Sequence, residues 1–516
     1  MDFLSSLLSS LLILAATAIL LLFISFSIFL FRIYTGKSIN SSLYPPVIGT
    51  VYHQFFYFNR LYDQKTDVLR QHRTFRLLGL SHSAVHTADP RNVEHILKSS
   101  FEDYCKGEYD CTIVKDLFGD GIFAVDGDKW RQQRKLASFE FSTRVLRDFS
   151  CGVFRKNAAK LAGIVSEFVA TKQAFDVQDL LMKCTMDSIF KVGFGMDLNC
   201  SGGTNKAGNE FSTAFDESSA LVYWRYVDFL WKIKRFLNLG SEAVLRKNIK
   251  AIDAFVYGVI RNKREQLSYQ GDYSDKEDIL SRFLVEGKKD PSKMTDRYLR
   301  DIILNFIIAG KDTTANTLSW FFYMMCKNPL IQEKISQQVR EIIDYDDKGN
   351  VEDFVGKITD STLDKMQYLH AALTETLRLY PAVPVDGRCS ERDDVLPDGY
   401  RVKKGDGVYY VAYAMGRMTY IWGDDAEDFR PERWLHDGLF QPDSPFRFVS
   451  FHAGPRICLG KEFAYRQMKI VAMVLLRFFR FQLEDEKKQV TYKTMFTLHI
   501  KEGLNLRVFS RMGSTY

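Results

Sequence analysis

The sequence predicts a mainly α-helical domain with a small β-sheet portion, preceded by a single membrane-spanning helix. Three observations predict it. Long stretches with helical apolar periodicity occur at 155–169, 176–196, 247–267, 297–326, 328–343 and 363–380, whereas β-like stretches are few and short, at 73–86, 399–413 and 490–508. Residues 3–31 carry no charged side chain. The charged or glycine-containing connectors at 200–209, 270–278, 286–293 and 345–350 show none of the composition of a linker between two independent cores, and no repeat is present.

Taken in order, residues 3–31 come first. At about 1.5 Å per residue such a run is long enough to cross the hydrocarbon layer with some tilt. A cleaved signal peptide has a shorter apolar region and a basic start, whereas this chain opens Met1-Asp2, so the helix is expected to be retained. Arg32 and Lys37 follow it and place the remainder in the cytoplasm by the positive-inside rule. Tyr44-Pro45-Pro46-Val47-Ile48-Gly49 then reads as a stiff turn. The expected organisation is an anchor over 3–31, a linker and proline-rich hinge over 32–50, and one large domain over 51–516. A net charge of +6 on 516 residues is too diffuse for a nucleic-acid partner, yet permits contact with anionic lipid or an acidic protein. Eight cysteines without a CxxC pair read as free thiols of a reducing compartment.

One of these cysteines stands apart. Phe451-His452-Ala453-Gly454-Pro455-Arg456-Ile457-Cys458-Leu459-Gly460 places Cys458 in a glycine-bracketed loop, followed by sequence that can form a helix. An axial thiolate ligand to haem iron needs one soft anionic sulfur in such a loop, supported by backbone N–H groups. Gly454 and Gly460 are expected to let the backbone approach a flat cofactor, and Arg456 to reach a haem propionate. The string matches the Phe-x-x-Gly-x-Arg-x-Cys-x-Gly signature, and from about residue 45 onward the chain resembles the cytochrome P-450 family of haem-thiolate monooxygenases. The resemblance implies the cytochrome P-450 fold, haem b as cofactor, and Cys458 as its iron ligand. The Pro45-Pro46 segment likewise resembles the hinge of microsomal members, which implies a single-pass endoplasmic reticulum protein with its catalytic domain facing the cytoplasm.

Ile302 to Thr314 reads as a central helix that turns polar midway. Ala309 and Gly310 leave room for dioxygen or substrate, and Asp312 with Thr313 supplies the acid and hydroxyl that proton delivery requires, the acid relaying protons from solvent. Thr and Gly are poor helix formers, so local distortion is expected here. By the resemblance Thr313 is the oxygen-activating threonine and Asp312 its acidic neighbour, the two catalytic residues. Glu375 and Arg378 share a helical face three residues apart. The resemblance joins them to Arg433 in a buried triad that fixes the loop before Cys458. Trp130-Arg131-Gln132-Gln133-Arg134 resembles the family helix in which Trp130 and Arg134 face one propionate, and Arg388 is assigned to the other.

Ile113, Val114, Leu117, Phe118, Ile122, Phe123, Phe306, Val383, Val385 and Met495–Leu498 are candidate substrate walls. Gly119–Asp128, Asp394–Gly399 and Thr497-Leu498-His499 resemble plant members that hydroxylate fatty acids, often at the terminal carbon. Lys106 is a candidate for the fatty carboxylate, although a solvent-facing lysine is the better reading. No Gly-x-Gly-x-x-Gly fingerprint with a suitable acid is present and no fused reductase is expected, so electrons are expected from NADPH through a separate flavoprotein, the NADPH–cytochrome P-450 reductase. Lys135 and Lys461 are candidates for its docking face. Expected partners are this reductase, membrane lipids and a long-chain fatty acid. The competing readings are a monooxygenase of a sterol, terpenoid or other lipid, a family member that rearranges a peroxide, and a non-catalytic haem carrier or sensor. Asp312-Thr313 argues against the last two.

Overall fold

The apolar run forms one helix from Asp2 to Tyr34, and side chains such as Leu12, Leu22 and Phe31 along it are exposed. Its segment Ser10–Tyr34 is long and apolar enough to cross a bilayer. Phe29 meets Tyr52, and Tyr52 meets Phe229, so an aromatic chain joins the end of the helix to the domain. The structure, a computed structural model, describes residues 2–35, 37–39, 41–142, 144–203, 205–269, 278–286, 294–345 and 349–511. Parts of the expected connectors (204, 270–277, 287–293 and 346–348) and the domain's last residues, 512–516, lie outside the described residues.

Helices form most of the domain. The periodic stretches appear as Arg144–Thr171, Val177–Phe194, Gly240–Tyr269 and Pro329–Ile342, while the stretch at 363–380 divides between Asp360–Lys365 and Gln367–Leu379. The central helix begins where the Thr295 side chain accepts a hydrogen bond from Tyr298 N, a cap that satisfies an orphan N–H. It runs as α-helix over Asp296–Ile307, as a π turn over Ile308–Asp312, and again as α-helix over Thr313–Lys327. Pro329, at the first turn of the next helix, follows its end. Leu299, Ile303, Leu304, Ile307, Leu318 and Phe321 are buried in the larger of two apolar cores. The expected distortion at Gly310–Thr313 is the π turn.

The smaller core lies against a six-stranded mixed sheet in the order Val47–Thr50, Thr74–Leu78, Ser83–Thr87, Gly407–Tyr410, Asp386–Ser390, Tyr104–Cys105. Val47–Thr50, read from sequence as part of the hinge, is an edge strand pairing parallel to Thr74–Leu78. Arg76 fastens the prolines in front of it, its backbone N–H bonding Pro46 O and its Nε bonding Pro45 O, both at 2.9 Å. The β-like stretch at 399–413 ends early, because Ala412–Met415 turns helical and packs toward the helix Leu61–Gln71.

Candidate functional site

The Cys458 loop closes on itself. Cys458 N donates to Phe451 O at 2.8 Å and Ile457 N donates to Gly454 O at 3.0 Å. Gly454 has φ +65°, and a Cβ there would lie 1.9 Å from the backbone oxygen of Leu97. Its close approach is therefore to the turn His95–Ser99, which corrects the expectation that Gly454 makes room for a cofactor. The helix Lys461–Phe478 starts directly after the loop, and a helix N-terminus favours an anion. Burial raises the Cys458 thiol pKa, while the Gly460 N–H, Arg134 and Lys461 act in the opposite sense. The Cys458 side chain retains accessible surface. Arg134 donates to Ile457 O, beside the thiol.

The other residues assigned to the propionates come together on the sheet side. The Arg456 guanidinium lies 4.3 Å from the centre of the buried Trp130 ring, and it donates to Val125 O and to the Asp126 carboxylate. Arg388, 1% exposed, donates to Asp386 Oδ2 at 3.1 Å and to Gly387 O at 2.6 Å. Its Nε and Nη2 have no partner among the described residues. Lys106 Nζ lies 3.3 Å from Asp386 Oδ1, and His452 Nε2 lies 3.2 Å from Asp386 Oδ2. Burial would raise the Asp386 pKa, but Lys106, Arg388 and His452 outweigh it and hold the carboxyl well below its usual range. Burial, then repulsion from Arg388, brings Arg456 down to about 10 and Lys106 to about 8. Lys106 is thus an interior lysine in a crowd of cations, which corrects its reading as solvent-facing. Three buried cations that repel one another, two N–H groups of one unpaired, make a site for additional carboxylate.

A second constellation surrounds the π turn. Thr313 Oγ1 donates to Ala309 O four residues back. Asp312 is fully buried, and neither of its oxygens has a hydrogen-bond partner among the described residues. Lys311 Nζ is 3.1 Å from Asp312 Oδ1 and also binds Asp216, whose side chain is partly exposed. His499 Nε2 lies 3.9 Å from Asp312 Oδ2. Burial would raise the Asp312 pKa; Lys311 and His499 outweigh it, and the net shift is downward. Asp312 therefore does not meet solvent itself. Gly310 differs from the sequence expectation, since a Cβ there would lie 2.7 Å from Ile189 Cδ1, so its smallness serves helix packing. Asn316, Thr497 and His499 also carry buried polar atoms with no hydrogen-bond partner among the described residues. One turn further on, Trp320 Nε1 donates to Leu498 O at 2.7 Å, so this helix face runs along residues 497–499.

Lys311 and His499 lie within the strings Ile302–Thr314 and Thr497–His499, whose sequence alone assigns them no role. A charge beside Asp312 in an apolar run was the available signal for Lys311. Nothing local pointed to Asp216 or Asp386. The expected triad is present: Glu375 accepts from Arg378 Nε at 2.7 Å, Arg378 Nη2 at 2.8 Å and Arg433 Nε at 3.4 Å. Among the apolar candidates, Phe118 and Phe496 meet each other, and Phe496 meets Tyr223 and Tyr226. Phe306 instead packs with Phe141 and Phe283. The stretches that resemble fatty-acid hydroxylases make scaffold contacts: Asp120 N donates to Asp301, and Asp398 accepts from Thr74 and Asn92.

A mainly helical fold with a minor sheet, a cysteine loop and a central helix interrupted by a π turn are the marks of a haem-thiolate enzyme, and comparison with known proteins agrees. The family model described as Cytochrome P450 matches residues 46–506, and the chain belongs to that family of monooxygenases. It is similar to Cytochrome P450 704C1 of Pinus taeda, 51% identical over 487 residues, covering 92% of this chain and 94% of that protein. Cytochrome P450 704B1 of Arabidopsis thaliana is 43% identical, covering 90% of this chain and 94% of its own. Cytochrome P450 86B1 of Arabidopsis thaliana is 40% identical, covering 87% and 82%. Family membership implies a haem held by a thiolate. The residues fit it: an accessible cysteine opposed by cations, and unpaired buried N–H groups where carboxylates are wanted.

Proposed function

We propose that this protein hydroxylates long-chain fatty acids at the terminal carbon, as a membrane-anchored enzyme of the endoplasmic reticulum. The observation that carries the substrate class is the likeness of Gly119–Asp128 and Asp394–Gly399 to plant fatty-acid hydroxylases, in a chain related to plant cytochromes P450 704 over about nine-tenths of its length. The exposed apolar helix Ser10–Tyr34, followed by Lys37, supports the anchor and a cytoplasmic domain.

Cys458 would hold the haem iron, and Arg388, Arg456 and Lys106 would hold its propionates, with Trp130 supporting the Arg456 guanidinium. Arg134 fixes the loop through Ile457 O and opposes the thiol's charge penalty. When bound, a thiolate-ligated haem supplies reductive activation of dioxygen and insertion of one oxygen atom into a C–H bond, the other leaving as water. Electrons come from NADPH through a separate flavoprotein reductase that docks near Lys135 and Lys461. The chain's own work is apolar and protonic. Phe118 and Phe496 present apolar surface to the substrate chain and exclude water. Asp312, held ionised by Lys311, accepts and returns protons at its carboxylate oxygens, and the Thr313 hydroxyl orients the water that carries them. Lys311 and Asp216 link this pair toward the surface.

The test is product analysis. Full-length protein is supplied with fatty acids of 12 to 18 carbons (roughly the span of a long acyl chain), NADPH and a plant reductase. Terminal hydroxy acids are expected by mass spectrometry. Turnover of sterols or terpenoids with none of fatty acids would overturn the substrate class, and in-chain hydroxylation alone would overturn the terminal position.

A further inference from the structure

Five cations gather where the apolar helix ends. Arg32, Lys37, Arg76, Lys403 and Lys404 line one cavity of about 370 Å³ between the linker and the sheet. Asp406 is the one carboxylate among its lining residues. Both Asp406 oxygens already accept backbone N–H groups, from Ser83 at 2.7 Å and from Lys403 at 2.9 Å. None of the five cations makes an ion pair with a carboxylate among the described residues. Two are turned to carbonyls instead: Lys37 Nζ donates to Ser81 O at 3.0 Å and Arg76 Nε to Pro45 O at 2.9 Å. Arg76 and Lys403 both lie over the Tyr44 ring, at 5.1 and 5.5 Å. Burial lowers the Lys37 pKa, and Lys403 and Arg76 lower it further against the pull of Asp406.

Elsewhere buried cations such as Arg225 and Lys263 are paired with carboxylates, Glu242 and Asp278. A cavity with five unpaired cations is short of negative charge. We infer that it is a binding site for the phosphate headgroup of an anionic phospholipid. The occupant follows from position. The cavity adjoins the last turn of the helix through Arg32 and Thr35, so on the anchor reading, on which this inference rests, it lies at headgroup depth. There the surface of an anionic leaflet attracts juxtamembrane Lys and Arg, and a phosphate accepts from several of them at once. A bound headgroup ties the linker to the sheet and so fixes how the domain sits over the membrane.

Lys403 and Lys404 are exposed, and their backbone N–H groups, not their side chains, hold the turn to Asp406 and Asp393. Removing both side chains therefore tests the site while leaving the fold. Full-length, haem-loaded parent and K403A/K404A would be titrated with dihexanoyl phosphatidic acid, dihexanoyl phosphatidylcholine and inorganic phosphate, and binding read by native mass spectrometry. The expected result is one phosphatidic acid per parent chain, bound at least fivefold more weakly by the variant, with phosphatidylcholine weak for both and inorganic phosphate unable to displace the lipid at equal concentration. Equal phosphatidic acid binding by parent and variant would overturn the site, as would equal binding of the two lipids. Displacement by equimolar phosphate would make the occupant a free anion and overturn it too. The short-chain lipid needs no bilayer. A parent that binds it selectively yet is washed from membranes by salt would support the headgroup site and break the anchor reading alone.

Discussion

Two buried charge clusters, both reached by long helices, are built in opposite ways. Around Glu375 every oxygen is used: besides the three bonds from Arg378 and Arg433, it accepts from Arg430 N at 2.9 Å and Trp434 Nε1 at 2.8 Å. Arg378 spends its remaining N–H groups on the carbonyls of Gly416, Ala426 and Asp428. Around Asp312 the acid is ion-paired with Lys311, yet its two oxygens, both ends of Asn316, Thr497 Oγ1 and His499 Nε2 have no hydrogen-bond partner among the described residues. Buried polar groups are ordinarily satisfied by protein or ordered water. The saturated cluster has no capacity for change, and its role is to fix the segment leading to Cys458. The unsaturated one has spare donors and acceptors, which is what a moving proton needs.

The contrast is tested most severely at Glu375. Glu375→Ala strands Arg378 and part of Arg433 without a counter-charge, a cost of about 3–5 kcal/mol. The expected outcome is loss of haem-loaded protein and a large fall in thermal midpoint; a variant with parent-like haem content and midpoint would show that the network is dispensable. A smaller and different effect is expected on the other side. Thr313→Ala keeps the cysteine loop and the apolar walls, so haem content stays and coupling drops. Product formed per NADPH consumed should fall, and the rate of product formation should drop by up to roughly 100-fold, the lower end of the range for losing a positioned proton-transfer group. A parent-like ratio at matched haem would remove Thr313 from proton delivery.

The smallest expected effect sharpens the comparison most. His499→Gln keeps a donor near Asp312 but removes the charge that a protonated imidazole supplies. His499 helps to depress the Asp312 pKa, so the variant's Asp312 should take up a proton at higher pH than the parent's. A carboxylate with a lowered pKa contributes stability above its unfolded value and loses it as pH falls through the folded one. The acid limb of the coupling ratio should therefore move upward in pH in His499→Gln, with haem content unchanged. An unmoved limb would assign the depression to Lys311 alone.

Sequence showed one half of this contrast better than the other. Glu375, Arg378 and Arg433 lie in short, recognisable strings, and so do Cys458 and Asp312-Thr313. The long helices were legible because apolar periodicity over many residues is a strong signal, whereas Ala412–Met415 looked like strand because four residues carry almost none. The environment of Asp312 was not legible, since Asp216 and His499 come from distant elements and only folding brings them to one helix face. Lys106 was misread for the same reason: its partner Asp386 sits on a strand far along the chain. Sequence suggests a cofactor beside Gly454 and open space beside Gly310, whereas their neighbours are Leu97 and Ile189, because the need for a missing Cβ is visible locally while the atom that would be struck is not.

The π turn has one more consequence, which concerns angle. An α-helix advances about 100° per residue, and a π turn accommodates about one extra residue without lengthening the helix by a full step. Ile308–Asp312 therefore sets the second half of the central helix at a different phase from the first. The first half presents Asp301 and Asn305 to the turn at 118–123, while Asp312 at the end of the π turn and Trp320 in the second half meet His499 and Leu498. Deleting a single residue such as Ala309 would regularise the helix and leave every other side chain in place in the sequence. The helix after it would keep its place, because the turn already absorbs the extra residue, and Trp320 would stay against Leu498. The two ends of this helix serve different neighbours because they are out of step by one residue.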